Sequence, residues 1–281
     1  MNNQADAAAQ QPPTDRILRE TRIVAAVVIP FLLLAFLILY LFPQTSAERF
    51  AWEINPWLLA MYIGAGYVGG AYFFGHVVLG REWHRVGTGF WSVTTFATSM
   101  LIATIFHWER FDLTHFPFQL WLILYAVTPF LIPYLWWRNR PQDPHTLEAG
   151  DKEIPKWSRQ IMLAIGVGLA IFALVGFFVP SWLVSFWPWP LTLLTARLLS
   201  GWHALLAVGG LAIGREARWS AWKVPLESIA LWHVLVLLAI FIRAEDFNSG
   251  SAVNWYTAAV LAIILGIGGL YGYMLRQPAV S

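Results

Sequence analysis

The chain has 281 residues, of which 58% are hydrophobic and only 12% are charged, against roughly 25% charged residues in an ordinary soluble domain. The mean hydropathy of +0.58 and the net charge of +2 argue against a nucleic-acid partner and favour a protein dissolved in lipid. Because the chain has no cysteine, disulfides, thiolate metal sites, covalently attached c-type haem and iron–sulfur clusters are excluded.

The chain begins with a polar segment. Its first fifteen residues are rich in Ala, Gln and Pro and contain no apolar run of the kind found in signal peptides. We therefore expect residues 1–21 to form a disordered cytoplasmic tail, with no cleavable signal peptide. A second short tail is expected at residues 277–281.

Eight apolar runs follow, each long enough to cross a hydrocarbon core of about 30 Å as a helix. They cover residues 22–42, 57–79, 87–107, 118–137, 159–179, 191–213, 225–242 and 254–275. The polar, proline-containing stretch 139–158 separates the fourth run from the fifth and is predicted to be a cytoplasmic linker. The sequence thus predicts an all-α integral membrane protein with eight transmembrane helices.

Basic residues indicate the orientation, since Lys and Arg near span ends stay in the cytoplasm. Fourteen of the 18 lie on one set of alternate loops and flanks, three (Arg49, Arg110 and Arg243) lie on the other set, and Arg197 lies inside a span. This asymmetry predicts a multi-pass protein with both termini in the cytoplasm.

An internal repeat is visible in the sequence. A shift of 134 residues superimposes Gly80-Arg81-Glu82 on Gly214-Arg215-Glu216, and the same shift aligns further pairs. These are Pro56 with Pro190, Asp112 with Asp246, and Trp121 with Trp255. Span one matches span five at an offset of 137, through Arg22 with Arg159 and Pro43 with Pro180. We expect two tandem four-helix repeats, 22–138 and 159–276, which share one orientation because each crosses the membrane four times.

Ionisable side chains at membrane depth cost about 2.5 to 3.5 kcal/mol each, so each one requires a reason. The second half holds four: Arg197 and His203 on the sixth span, and Glu227 and His233 on the seventh. At a helical rise of about 1.5 Å per residue, the two histidines lie roughly 15 Å and 12 Å from the cytoplasmic ends of their spans. They are therefore expected at nearly the same depth.

The other two ionisable groups lie at opposite ends of their spans. Arg197, about 24 Å from the cytoplasmic end, is expected to reach outward toward Asp246 or Asp112. Glu227, about 3 Å from that end, is expected to face cytoplasmic water. A direct ion pair between Arg197 and Glu227 is excluded by the difference in depth.

Each mid-depth histidine directly follows a mid-depth tryptophan, in the pairs Trp202-His203 and Trp232-His233. One interpretation is a buried site in which two imidazoles bind a haem iron, or one imidazole bonds a quinone, with the indoles as walls. The other is a pair of neutral structural histidines with aromatic filler. No other metal site is predicted.

Two further features lie on the third span. His107 and Arg110 share a helix face at its outer end and could contact an exterior anion or a lipid headgroup, although a solvated helix end with its own ion pairs is the favoured explanation. The span also carries several hydroxyls, which could line a water path or bond back to their own helix. They are Ser92, Thr94, Thr95, Thr98, Ser99 and Thr104.

Motifs of soluble enzymes are missing from the sequence. It contains no glycine-rich phosphate loop, no His-Glu-x-x-His zinc pair, no G-x-S-x-G elbow and no intramembrane lysine for a retinal. Three functions stay open: a cofactor-binding subunit, a small-solute transporter that uses Arg197 and the hydroxyls, and an assembly subunit without a ligand. Expected partners are the bilayer and either another membrane protein or a second copy; enzymatic activity is not favoured.

Residues 50–130 contain three short motifs: Phe50-Ala51-Trp52 with Ile54 and Pro56, Gly64-Ala65-Gly66-Tyr67, and His107 with Arg110-Phe111. In these motifs the segment resembles a family of uncharacterised bacterial polytopic membrane proteins. The resemblance implies a bacterial plasma (inner) membrane and transfers no site. The tandem arrangement is also similar to haem A synthases and to polysulfide-reductase-type membrane subunits, but the histidine pair that haem A synthases carry in each half is missing from the first half.

Overall fold

The computed structural model describes residues 13–280. This part of the chain contains ten α-helices and no strand, and eight of the helices are long and apolar enough to cross a membrane. The helices are α1 (Arg19–Phe36), α2 (Ser46–Arg49), α3 (Trp57–Leu79), α4 (Gly89–Phe106), α5 (Phe116–Asn139), α6 (Lys156–Phe178), α7 (Pro180–Phe186), α8 (Leu193–Ile213), α9 (Trp219–Ile242) and α10 (Gly250–Leu275). The predicted all-α class and the eight membrane-spanning helices are confirmed.

The start of α9 differs by six residues from the predicted span. The prediction began at Pro225, because Lys223 and the preceding polar residues end the apolar run. The helix in fact begins at Trp219 and includes Pro225 near its N-terminus. A helix can continue beyond the hydrocarbon core of the membrane. In the additional turns of α9, the side chains of Trp219 and Trp222 are buried. Every residue of α9 is therefore further along its helix than the prediction placed it.

The core of the bundle consists of two helices from each half. Helix α3 packs on α9 and helix α4 packs on α8, whereas α3 and α4 make little contact with each other. The other four long helices flank this core: α1 packs on α3, α5 on α4, α6 on α8 and α10 on α9. Accordingly, 78% of the most apolar stretch of α3 is buried but only 11% of that of α10. The halves 22–138 and 159–276 thus share one core.

One end of the bundle, which we term the terminal end, is where α1 begins and α10 ends. Short antiparallel pairings hold it together: Trp83 donates its N–H to the Asp15 carbonyl (2.8 Å), and Trp219 donates to the Lys152 carbonyl (2.9 Å). Beside them, the backbone N–H of Ile17 donates to the Arg81 carbonyl (3.2 Å). An equivalent bond joins Ile154 to Ala217 (2.8 Å).

Parts of both predicted tails lie within the described residues. Asp15 and Ile17 are buried, and α1 begins at Arg19, so the segment from Asp15 is packed against the loop after α3. At the other end of the chain, Val280 exchanges backbone hydrogen bonds with Gly150 and Asp151 of the linker. Residues 1–12 and 281 lie outside the described residues.

The opposite end, which we term the distal end, joins the halves by different contacts. The Asp246 carboxylate accepts the N–H of Leu58 in the first turn of α3 (2.8 Å) and also pairs with Arg243 (3.3 Å). Within the second half, the Asn248 side chain donates to the Trp187 carbonyl (2.9 Å). Asp246 therefore caps a helix of the first half and is not available to Arg197, contrary to the prediction.

Candidate functional site

Trp202 and Trp232 pack against each other at the centre of the bundle, with ring centroids 4.9 Å apart. Trp202 lies over Gly66 of α3, where an added Cβ would be 2.6 Å from two of its ring carbons. Trp232 donates its indole N–H to the Tyr62 carbonyl of α3 (3.2 Å). The two indoles therefore join the halves of the bundle, and the ring of Trp232 also lies 5.2 Å from that of His233.

His203 lies between aromatic side chains of the second half. Its Nδ1 is 2.8 Å from the Leu199 carbonyl, one turn earlier on α8. Its ring packs against Phe172 of α6 (4.8 Å) and Trp187 (5.7 Å). These contacts match the structural interpretation of this histidine.

His233 has the same local bond but different surroundings. Its Nδ1 is 2.8 Å from the Ile229 carbonyl. Because a carbonyl can only accept, the proton is on Nδ1, and Nε2 keeps its lone pair in the neutral ring. His233 lines a cavity of about 490 Å³ between α6, α8, α9 and α10. His203 is not among the residues that line it, so the two imidazoles do not face one haem-sized space as a pair.

The wall of this cavity is almost entirely apolar. It includes Leu206, Leu226 and Leu270, with Trp157 and Tyr273 packed edge to face (5.6 Å) at its terminal end. The buried Ser158 also lines it, and the Ser158 hydroxyl has no hydrogen-bond partner in the part of the chain that the structure describes. The cavity thus offers the His233 imidazole and the buried Ser158 hydroxyl as polar groups in a mostly apolar space.

The cavity opens toward the side of the bundle. Ile161 and Ile165 of α6 and Ile263 of α10 line it, although they are 53%, 48% and 39% exposed. Helix α6 packs mainly on α8 and helix α10 mainly on α9, which leaves the gap between α6 and α10. This gap faces the lipid region.

The corresponding space in the first half is smaller. A cavity of about 140 Å³ lies between α1, α3, α4 and α5. Aromatic side chains crowd it, and Tyr67 and Tyr125 bond to each other within it through their hydroxyls (3.1 Å). A third cavity, of about 130 Å³, lies in the core beside the two tryptophans. The first-half cavity therefore has less than a third of the volume of the cavity beside His233, about 140 Å³ against about 490 Å³.

Arg197 binds groups that the sequence analysis did not connect to it. Its Nε donates to the Phe177 carbonyl (3.1 Å), and its Nη1 donates to Nε2 of His107 (2.6 Å). The guanidinium also lies over the ring of Phe106, 5.4 Å from the centroid. The prediction that Arg197 reaches Asp246 or Asp112 is wrong, because depth along a helix does not determine which helix is beside it.

The side chains of His107 and Arg110 have different partners, although the backbone N–H of Arg110 donates to the His107 carbonyl (2.8 Å). His107 follows the last residue of α4 and is buried. Burial lowers the pKa of His107, and the charge of Arg197 lowers it further, so its imidazole is neutral. Arg110 is exposed and lies 3.9 Å from Glu109. The structure therefore brings His107 to Arg197 rather than to Arg110.

Glu227 lies further from the start of its helix than the short predicted span suggested. It lies eight residues, or about 12 Å, from the start of α9. Its two oxygens accept from the hydroxyls of Tyr72 on α3 (2.7 Å) and Tyr271 on α10 (2.6 Å). No Lys, Arg or His within the described residues pairs with it.

Five of the six hydroxyls that the sequence analysis noted on the third span are bonded within their own helix; in the described part of the chain, no such bond forms at Ser92. Each donates to the carbonyl one turn earlier, at 2.8 to 3.0 Å. The residues concerned are Thr94, Thr95, Thr98, Ser99 and Thr104. This geometry matches the alternative in which the hydroxyls bond back to their own helix, and it leaves these hydroxyls without a free donor for a water path.

Two polar networks at the terminal end were not anticipated from the sequence. In the first, the buried His84 lies between Asp15 (2.5 Å from Nδ1) and the Ser220 hydroxyl (2.8 Å from Nε2), and Ser220 also donates to Asp151 (2.5 Å). Asp15, His84 and Glu82 present donor atoms close enough together for a metal ion. However, Glu82 is paired with Arg85, and Asp15 and His84 satisfy each other. The arrangement therefore favours a hydrogen-bonded clamp.

In the second network, the buried Arg218 binds Asp143 (2.7 Å) and Glu216 (2.5 Å). Burial by itself would raise the pKa of both carboxyl groups, but the hydrogen bonds and charge of Arg218 bring each below its ordinary value. The same two carboxylates outweigh burial and raise the pKa of Arg218. The sequence carries one signal for these networks: a histidine or an arginine lies close to an acidic residue in the 80–85 and 215–218 loops.

We found no protein-family model, no curated protein and no solved structure that matches this chain. The resemblance noted for residues 50–130 therefore remains a prediction. The eight long apolar helices define the class: a multi-pass membrane protein with eight helices able to span the bilayer.

Proposed function

We propose that this protein binds a lipophilic molecule that carries a hydroxyl group, of the quinol type, in the cavity beside His233. The observation that carries the proposal is the geometry of that cavity: about 490 Å³, apolar, and supplied with one neutral imidazole. Sites for small ligands combine a mostly apolar wall with a few placed polar groups that fix orientation.

The tautomer of His233 selects among the ligands considered from the sequence. Since Nδ1 holds the proton, Nε2 accepts a hydrogen bond. A quinol hydroxyl can donate that bond, whereas a quinone carbonyl cannot. The same lone pair could bind a haem iron, but a bis-histidine haem would need His203 in the same wall, where it does not lie. A quinol therefore fits better than a haem held by two histidines.

Access from the bilayer supports the same ligand class. The gap between α6 and α10 leads from lipid into the cavity, past Ile165 and Ile263. A molecule with a long apolar tail could leave the tail in this gap while its head reaches His233. The protein would then act as a membrane-embedded binding subunit and not as an enzyme in its own right.

The membrane arrangement forms part of the proposal. We propose two parallel repeats related by duplication, with both termini in the cytoplasm and the chain in a bacterial plasma membrane. Support comes from the sequence offsets, from the one-sided basic residues, and from the matching bonds of Trp83 with Asp15 and Trp219 with Lys152.

The test uses two adjacent glycines of α10. An added Cβ meets nothing within 4 Å at either Gly268 or Gly269, but only Gly269 lines the cavity. A leucine at 269 would fill part of the cavity, whereas a leucine at 268 would not. Calorimetric titration of the detergent-purified protein with a short-chain quinol analogue should give weaker binding, by about tenfold or more, for Gly269→Leu and unchanged binding for Gly268→Leu.

The outcomes separate the alternatives. Equal binding by the two glycine variants, or no binding by the wild type, would overturn the quinol proposal. A Soret band in the absorption spectrum of the wild type, lost in His233→Ala, would replace the quinol with a haem. His233→Phe should weaken quinol binding while the melting temperature of the protein stays close to that of the wild type.

A further inference from the structure

We propose that Arg197 and His107 bind the phosphate group of an anionic phospholipid at the distal end of the bundle. The two residues come from different halves of the chain. Neither of them lines the His233 cavity. The proposal is independent of the quinol site.

The hydrogen bonds of Arg197 leave donors free. A guanidinium has five N–H groups and cannot accept. One bond goes to the Phe177 carbonyl and one to His107 Nε2. Because His107 must accept at Nε2, its own proton is on Nδ1, which becomes a further donor. The pair therefore presents a cation and several N–H groups, a combination that recognises a phosphate.

The charge of Arg197 has no counter-charge in the described part of the chain. No carboxylate lies within 4 Å of it, and the acids at this end have other partners. Asp246 binds Arg243 and Leu58, Glu109 lies beside Arg110, and the Asp112 side chain accepts from Thr114. Arg197 itself lies about 6 Å into α8, where an uncompensated charge is costly. A bound anion would remove that cost.

The surroundings favour a lipid over a free phosphate ion. Phe106 of α4, which stacks under the guanidinium, is 51% exposed, and Phe178 of α6, next to Phe177, is 65% exposed. These side chains lie on the lipid-facing surface of membrane-spanning helices. They provide contacts for acyl chains beside the cation, as a phospholipid requires and an inorganic ion does not.

The experiment measures lipid selectivity directly. Wild-type protein in nanodiscs of mixed phosphatidylglycerol and phosphatidylcholine is released into detergent, and its bound lipids are counted by native mass spectrometry. We expect retained phosphatidylglycerol, weakened about tenfold or more in Arg197→Gln, because a charge-assisted hydrogen-bonded contact is lost. Arg110→Gln is the matched control, since it removes an exposed cation at the same end and should leave retention unchanged.

Several results would overturn the proposal. They are a wild type with no preference for phosphatidylglycerol, retention in Arg197→Gln equal to that of the wild type, or an equal loss in Arg110→Gln. Displacement of the lipid by inorganic phosphate at the same concentration would assign the site to a free anion. If Arg197→Gln does not fold, Arg197→Lys provides the test: it keeps the charge and loses the planar fork, and it should retain phosphatidylglycerol more weakly than the wild type.

Discussion

His84, in the loop after α3, lies 2.8 Å through its Nε2 from the hydroxyl of Ser220, the second residue of α9. This bond joins the two halves of the chain at the terminal end. The same hydroxyl donates to Asp151 of the linker (2.5 Å), and His84 is held by Asp15. Ser220 therefore connects the N-terminal segment, the linker and α9.

Removal of this hydroxyl should destabilise the protein. Ser220→Ala leaves buried polar partners without their bonds, at a cost of about 1 to 3 kcal/mol, so the melting temperature in detergent should fall. Ser158→Ala is the control, because the Ser158 hydroxyl is buried and has no protein partner in the described structure. If the two variants have the same melting temperature, the contact at Ser220 contributes nothing to stability.

A second prediction concerns the close approach of α3 and α8. Gly66→Ala would place a methyl group 2.6 Å from the Trp202 ring, and the ring cannot retreat because Trp232 and Phe96 pack against it. Overpacking of this kind costs about 1 to 3 kcal/mol. Gly75→Ala, on the same helix with open space around it, should be neutral or slightly stabilising. Thermal melting of the two variants checks the difference, and equal midpoints would contradict it.

The Arg218 network gives the stability a pH dependence. Since the pKa values of Asp143 and Glu216 are lower in the folded protein than in the unfolded chain, both groups stabilise the fold above their ordinary values of 3.8 and 4.5. This contribution is lost as the pH falls through the lowered values. The wild type should therefore lose stability on acidification below about pH 4.5.

Arg218→Gln tests that assignment at neutral pH. It leaves two partly buried carboxylates without their cation, which should cost about 3 kcal/mol at pH 7 and less as the pH falls through their lowered pKa values, where the carboxyl groups of the wild type become neutral. Melting curves recorded between pH 3 and 7 provide the measurement. A variant that loses stability by the same amount at every pH would show that Arg218 acts through packing alone.

A fourth prediction concerns the intramembrane carboxylate. Glu227→Leu removes the acceptor of both Tyr72 and Tyr271, whereas Glu227→Gln keeps one oxygen. We expect a loss of about 2 to 4 kcal/mol for the leucine variant and about half of that for glutamine. Glu82→Gln, which affects only a partly exposed pair with Arg85, should change the melting temperature little. Equal stability of Glu227→Leu and the wild type would contradict this role.

The sequence by itself determined the class of the protein and the number of its membrane-spanning helices. Hydrophobicity is a local property, so a run of about 20 apolar residues indicates a membrane-spanning helix whatever the rest of the chain contains. The sequence also identified His233, Arg197 and Glu227 as unusual, because a titratable group is costly at membrane depth wherever it is.

Only the tertiary structure decided what these residues meet. The helical rise fixes the depth of Arg197, but neither its rotation nor the neighbouring helix, and its partner turned out to be His107, 90 residues earlier. Likewise, the separation of His203 from the His233 cavity depends on where α6 and α10 pack, and no pattern along α8 or α9 records that. The composition of a segment determines whether that segment forms a membrane helix, whereas a site depends on contacts between segments that are distant in the chain.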